Sequence, residues 1–317
     1  MLSWPSRKRV EYFATKFTLH GNLTNVMEAI SELLDPISKA RMIALIGPTG
    51  VGKTMMGTKI AEAIVRHYHA ATSTSDIQCI YVEAQSDKGN RTYDWSGLYS
   101  SVLSGGLEVD VERKVEYIHK GGELVIESVG TVRAKKNACK NLIRHRNTKL
   151  LIIDEAAHML VSPDYKNTMN TLKSLSQLLK TSKILLIGPY DLFKLVQQEG
   201  QVRRRASVVH FKRYSKNKKG DIAEFGRVLS EFLSIWPCAD VPPLMNHVQQ
   251  IMDSSCGCIG ILKDMLDQAA ILQTMQRGER WTEKILPRIL NPLGFQMQLE
   301  QEASSGEHLL KGQAYND

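Results

Sequence analysis

The stretch Gly47-Pro-Thr-Gly-Val-Gly-Lys-Thr54 constrains this chain more than any other. It follows the pattern G-x-x-x-x-G-K-[ST], and its flanks are those the pattern requires. Met42 to Ile46 form an apolar run that predicts a buried strand, while Met55 to His69 predict a helix with apolar residues at Ile60, Ala63 and Ile64. A glycine-rich turn between strand and helix aims its backbone N–H groups at one point, where the helix N-terminus adds a favourable dipole. The segment therefore predicts a cradle for the phosphates of a nucleoside triphosphate, lined by Gly47, Pro48, Thr49, Gly50, Val51 and Gly52. Lys53 would reach the β- and γ-phosphates and the Thr54 hydroxyl would ligate magnesium. A ligand-free turn is the plainer reading, and the agreement of motif with context weighs against it.

With 317 residues the chain is long enough for one large domain or two ordinary ones. Hydrophobic residues at 43% and charged residues at 23% are those of a soluble globular protein, and a net charge of +8 points to a polyanionic partner. The five cysteines, Cys79, Cys139, Cys238, Cys256 and Cys258, are odd in number and without framework spacing, which fits a reducing cytoplasm. Cys256 and Cys258 lack a second pair to complete a zinc site and read as packing residues. The N-terminus MLSWPSRKRV has no apolar core after its basic start, and no apolar run reaches membrane-spanning length. The expectation is a soluble, unexported, cytoplasmic protein.

Residues 1–40 read as an N-terminal segment with an amphipathic helix from Leu23 to Leu34, ended by Asp35-Pro36. Phe17 and His20 lie where such a segment would pack near the nucleotide, either over the base or simply in the core. Residues 41–215 read as an α/β core. Its strands are expected at Met42–Ile46, Ile77–Val82, Leu150–Asp154, Lys183–Gly188 and Ser207–Phe211. The segment from Gln85 to Val132 is the least regular, and one so long between core strands is functional or mobile. Lys88, Arg91, Arg113, Lys120, Arg133, Lys135 and Lys136 are candidates for a surface facing nucleic-acid phosphates, although each alone reads as a solvated charge.

In K149-L-L-I-I-D-E155, four apolar residues and two acids describe a central strand buried on both faces with carboxylates at its C-terminal edge. That edge of a parallel sheet faces the nucleotide, so Asp154 would hold magnesium and Glu155 would orient the attacking water. Gly188-Pro-Tyr-Asp191 ends the next strand at the same edge, and Arg203, Arg204 and Arg205 precede the last. These arginines form either a solvated face or a reach toward a neighbouring subunit's γ-phosphate. The basic run Lys212 to Lys219 marks the domain boundary. Helices follow over 220–290, opened in part by S255-C-G-C-I-G-I-L-K263, and 291–317 reads as a flexible or partner-binding tail.

In this order the features resemble an AAA+ ATPase, over about residues 20 to 275. The phrases L-I-G-P-T-G-V-G-K-T, L-L-I-I-D-E-A, L-L-I-G-P and G-C-I-G-I-L-K are similar to those of the TniB/TnsC group of transposition regulators. The resemblance implies an AAA+ P-loop NTPase, with a five-stranded parallel sheet flanked by helices and a small C-terminal all-α lid. It also implies ATP and Mg2+ as cofactors, Arg203 or Arg205 as the arginine acting in trans, and Lys263 as the lid sensor. This chain has Pro189 and Tyr190 after the fourth-strand glycine, where the group often has a small polar residue. Tyr190 or Asp191 would then substitute as first sensor. The implied function is an ATP-dependent regulator of DNA transposition, which oligomerises on duplex DNA without strong sequence preference as a ring or filament. It would link a TniQ-like target selector to the transposase and disassemble on hydrolysis, working at the bacterial nucleoid and not at a membrane. The rival readings are another AAA+ adaptor, such as a helicase loader or defence ATPase, and a P-loop phosphotransferase. A helicase is suggested by D154-E-A-A-H158 but would need a second motor domain.

Overall fold

The structure, a computed structural model, describes residues 3–68, 73, 75–85, 92–160, 168, 170–172, 174–175, 182–197 and 206–311. In chain order its elements are α1 (Ser6–Ala14), α2 (Gly21–Leu34), β1 (Met42–Ile46), α3 (Lys53–Tyr68), β2 (Cys79–Glu83) and α4 (Trp95–Gly105). Next come β3 (Val115–Lys120), β4 (Glu123–Val129), α5 (Val132–His145), β5 (Leu150–Asp154), β6 (Lys183–Gly188), α6 (Leu192–Gln197) and β7 (Ala206–His210). The C-terminal helices are α7 (Lys219–Ser234), α8 (Val248–Ser254), α9 (Ile259–Thr274), α10 (Leu286–Ile289) and α11 (Leu293–Lys311). These form a sheet unit, Met27–Ile46 with Lys53–His210, and a helical unit, Met1–Val26 with Gly47–Gly52 and Phe211–Asp317.

The sheet unit holds a five-stranded parallel sheet in the order β2-β5-β6-β1-β7. Every residue of β1, β5 and β6 is buried, which is why those strands read as unbroken apolar runs. Lys183, at the start of β6, takes its ammonium out of the core to the end of α2. There it donates to the carbonyls of Leu33 at 2.6 Å, Asp35 at 2.7 Å and Ser38 at 3.3 Å. A helix end leaves carbonyls without intrahelical partners, and the buried lysine satisfies that of Leu33 together with two in the turn that follows.

All five expected strands are present to within two residues at their ends, and α3 starts at Lys53, two residues before the expected Met55. The irregular middle segment contains an antiparallel hairpin of β3 and β4 that turns at Gly121-Gly122. Its register shifts at Glu116/Tyr117, and the consecutive Leu124, Val125 and Ile126 break the alternation by which a strand is recognised. Tyr117, Leu124 and Ile126 are exposed, while buried Glu116 anchors the base through Arg133 Nε at 2.8 Å and Asn137 Nδ2 at 3.3 Å.

In the helical unit, Phe13 of α1 stands edge-on to Phe232 and Trp236, with ring centroids 6.3 and 5.2 Å away. Arg9 reaches from α1 to Glu279 with an Nη2–Oε2 distance of 2.5 Å. Sequence reasoning failed on the tail. Residues Leu293–Lys311 are a helix that buries Leu299 and Ala303, because Arg213 Nη2 binds Glu300 at 2.8 Å and its Nε binds Glu307 at 2.9 Å. The boundary also falls at Phe211, slightly before the basic run, and residues up to Val26 join the helical unit. No helix among the described residues is long and apolar enough to cross a membrane.

Candidate nucleotide site

The phosphate-loop sequence runs out of β1 and into α3. Within the helical unit, Gly50 has a left-handed φ of 74° and its carbonyl accepts the Ile261 N–H of α9 at 3.1 Å. A Cβ on Gly260 would overlap the Gly50 carbonyl oxygen and lie 3.1 Å from its carbon. The lid helix can thus meet the loop only with glycine there. Thr49 donates its N–H at 3.0 Å and its hydroxyl at 2.9 Å to Glu302 Oε1 of α11. Gly47, Pro48 and Val51 are buried within the loop.

Lys53 and Thr54 open α3 in the sheet unit, where the Thr58 hydroxyl donates back to the Thr54 carbonyl at 3.2 Å. At the end of β5, Asp154 is 4% exposed. Its Oδ1 accepts the Glu155 N–H at 2.8 Å and its Oδ2 accepts the Tyr81 hydroxyl at 2.6 Å. Glu155 adopts a φ of 50°, uncommon for a residue with a side chain and frequent at functional sites. Burial, reinforced by the Asp154 carboxylate, raises the Tyr81 pKa and keeps the phenol a donor. Tyr81 escaped the sequence reading, although a hydroxyl in the strand C-I-Y-V-E was visible.

The remaining candidates are engaged in various ways. Tyr190 is buried after β6, and its hydroxyl pairs with His210 Nε2 at 2.9 Å. Asp191 is exposed and bound to Lys194 at 2.6 Å. The Lys263 ammonium pairs with Asp267, lies 3.3 Å from the Ala14 carbonyl and stands 4.7 Å above the Phe13 ring. His20 is buried, stacks on Phe211 with centroids 6.1 Å apart and bonds the Tyr214 hydroxyl at 2.9 Å, whereas Phe17 is exposed. Burial holds the His20 pKa at about 4, so it packs as a neutral ring.

Lys88, Arg91, Arg203 and Arg205 lie outside the described residues. Arg113 and Lys120 are exposed, Arg133 is bound to Glu116, and Lys136 donates to Ser174 at 2.8 Å. Lys135 corrects its sequence reading: it is buried, and its ammonium is held by Glu112 at 2.5 Å and Ser100 at 3.0 Å, out of reach of an external phosphate.

Thr54 and Asp154 supply hard oxygen donors, and no cluster of three or more His, Cys, Asp or Glu suited to a metal exists among the described residues. Two protein oxygens fit magnesium, which keeps several waters and binds together with phosphates, and do not fit a metal ligated wholly by protein.

Several solved structures share this fold. The Aeropyrum pernix ORC2 protein, in ADPNP-ADP complexes, superposes with a TM-score of 0.61 at 15% identity, covering 89% of this chain and 71% of its own. The Aeropyrum pernix ORC1 protein in complex with DNA gives 0.61 at 12% identity, covering 86% and 65%. Domain III of the Thermotoga maritima replication initiation protein DnaA gives 0.55 at 13% identity, covering 87% and 95%. No curated protein sequence matches the chain. A sequence profile described as an AAA domain matches residues 35–196. With that match over more than half its length, and with the sheet order and phosphate loop described above, the chain belongs to the AAA domain family and has the AAA+ P-loop fold.

Proposed function

We propose that the chain is an ATP-hydrolysing switch that assembles on duplex DNA and regulates DNA transposition. The observation carrying the nucleotide part is the Asp154-Glu155 pair, in which a buried carboxylate is fixed from both sides and the next residue is held in a left-handed turn. Lys53 would bind the β- and γ-phosphates, Thr54 and Asp154 would hold magnesium, and Glu155 would orient the attacking water. When bound, the metal neutralises charge developing on the phosphates. Arg203 or Arg205 would complete the site of an adjacent copy.

DNA binding is supported by the charge of +8 and by fold relatives solved with DNA, the ORC1 protein and Drosophila ORC. Among the described residues Arg113, Lys120 and Arg133 are the exposed basic candidates, Arg133 being paired with Glu116. Assignment to transposition, with a TniQ-like selector and a transposase as partners, rests on the TniB/TnsC-like phrases. Replication initiators share the fold, so a helicase-loading adaptor is the second reading.

Sedimentation and electron microscopy of the full chain on duplex DNA with ATP test the proposal. Assembly should require ATP, disappear in Lys53→Ala and outlive the wild type in Glu155→Gln. ATP-independent assembly would refute the switch. Purified transposase and replicative helicase, added separately, distinguish the two clients.

A further inference from the structure

Tyr81 couples the two segments that carry the proposed magnesium ligands. Its phenol leaves β2 and donates to Asp154 Oδ2 at 2.6 Å, with the Thr58 side chain of α3 beside it. Thr58 lies one turn beyond Thr54 and bonds its carbonyl. Helix α3 runs close to the ring at this point, because a Cβ on Gly57 would stand 3.1 Å from Tyr81 Cε2 and 3.2 Å from its hydroxyl oxygen. The backbone registers Tyr81 beside Ile152 on β5, two residues before Asp154.

A carboxylate oxygen has two acceptor positions. The Tyr81 hydroxyl fills one on Oδ2, the Glu155 N–H fills one on Oδ1, and each oxygen keeps one further acceptor position. A carboxylate held on both oxygens cannot turn about its Cβ–Cγ bond, so its open positions keep one orientation. We propose that Tyr81 is a positioning residue for the divalent cation. By donating to Asp154 while its ring packs against α3 at Gly57, it fixes the distance and angle between the Asp154 carboxylate and the first turn of α3, where Thr54 sits. This deepens the nucleotide reading above and rests on it.

The test is equilibrium binding of a fluorescent N-methylanthraniloyl ATP to the full-length chain, with EDTA and across a Mg2+ titration. Wild type should bind the probe in EDTA and more tightly as Mg2+ rises. Tyr81→Phe keeps the ring and its packing, so its affinity in EDTA should match wild type. Its half-saturating Mg2+ should rise about tenfold, the range lost when an outer partner of a metal ligand is removed. Gly57→Ala, whose Cβ would crowd the Tyr81 ring and hydroxyl, should shift the same quantity in the same direction, and it decides the matter if Tyr81→Phe does not fold. An unchanged Mg2+ midpoint in the folded variants, with wild type behaving as expected, overturns the role of Tyr81. A wild type that binds no probe under either condition overturns the nucleotide reading as well.

Discussion

Gly260 lies against the carbonyl of Gly50, so close that neither position has room for a side chain beyond glycine. The second residue of the lid helix thus touches the phosphate loop backbone to backbone, and the next residue seals the contact with the Ile261 N–H to Gly50 bond at 3.1 Å. Helix propensity alone favours Gly260→Ala by up to about 1 kcal/mol. Overlap with the loop carbonyl reverses the sign. We expect Gly260→Ala to lower stability by about 2 kcal/mol and the melting temperature by roughly 5 °C. Thermal melts check this, and a melting temperature raised as propensity predicts would refute the contact.

Glu302 offers a carboxylate to the same loop, accepting from both the N–H and the hydroxyl of Thr49. A negative charge there opposes a negative ligand. Glu302→Gln keeps the shape and removes the charge, so ATP affinity should rise, by no more than about threefold because the contact is exposed and screened. The gain should be larger at 20 mM than at 200 mM salt, both concentrations being roughly either side of the range where screening takes hold. Affinity that falls in the variant would contradict the argument.

Arg213 holds α11 through Glu300 and Glu307, with its own side chain only 12% exposed. Arg213→Ala leaves two carboxylates without their cation, and because Glu300 is itself half-exposed we expect a cost of about 2 kcal/mol. Protease cleavage within α11 should quicken before the rest of the chain is attacked. Mass spectrometry of the fragments gives the answer, with uniform sensitivity along the chain as the contrary result.

His20 should make stability depend on pH. Its folded pKa of about 4 lies below the ordinary value of 6.5, chiefly through burial, with Glu224 opposing and Arg227 assisting. The unfolded chain therefore binds a proton that the folded chain refuses between those values. Stability is complete above pH 6.5 and falls as pH drops toward 4, by about 3 kcal/mol over the window. Glu224, lowered to about 2 by its bond to Arg227, loses its contribution in a more acidic range. Urea unfolding of wild type and His20→Gln between pH 7 and 5, bracketing roughly the histidine's ordinary value, should show a flatter dependence in the variant.

Much of the sheet was legible because strands buried on both faces must be apolar throughout, as Leu150 to Ile153 and Ile184 to Ile187 are. The phosphate loop and the Asp154-Glu155 pair were legible for a related reason, since their chemistry depends on neighbours in sequence. What escaped depends on neighbours in space. Tyr81 acquires its role only when β2 pairs with β5, and the tail becomes a helix of the fold only when Arg213 meets Glu300 and Glu307. Lys135 looked like the other lysines of its helix until burial against Glu112 set it apart.

The β3–β4 ribbon carries exposed Glu123 and Glu127 beside exposed Lys120, while its buried Glu116 is paired with Arg133. Its exposed charges are therefore close to balanced, and it neither strongly draws nor strongly repels a polyanion. Tyr117, Leu124 and Ile126 stand exposed on it. Within a chain of net charge +8, the ribbon thus offers apolar side chains rather than charge to whatever meets it.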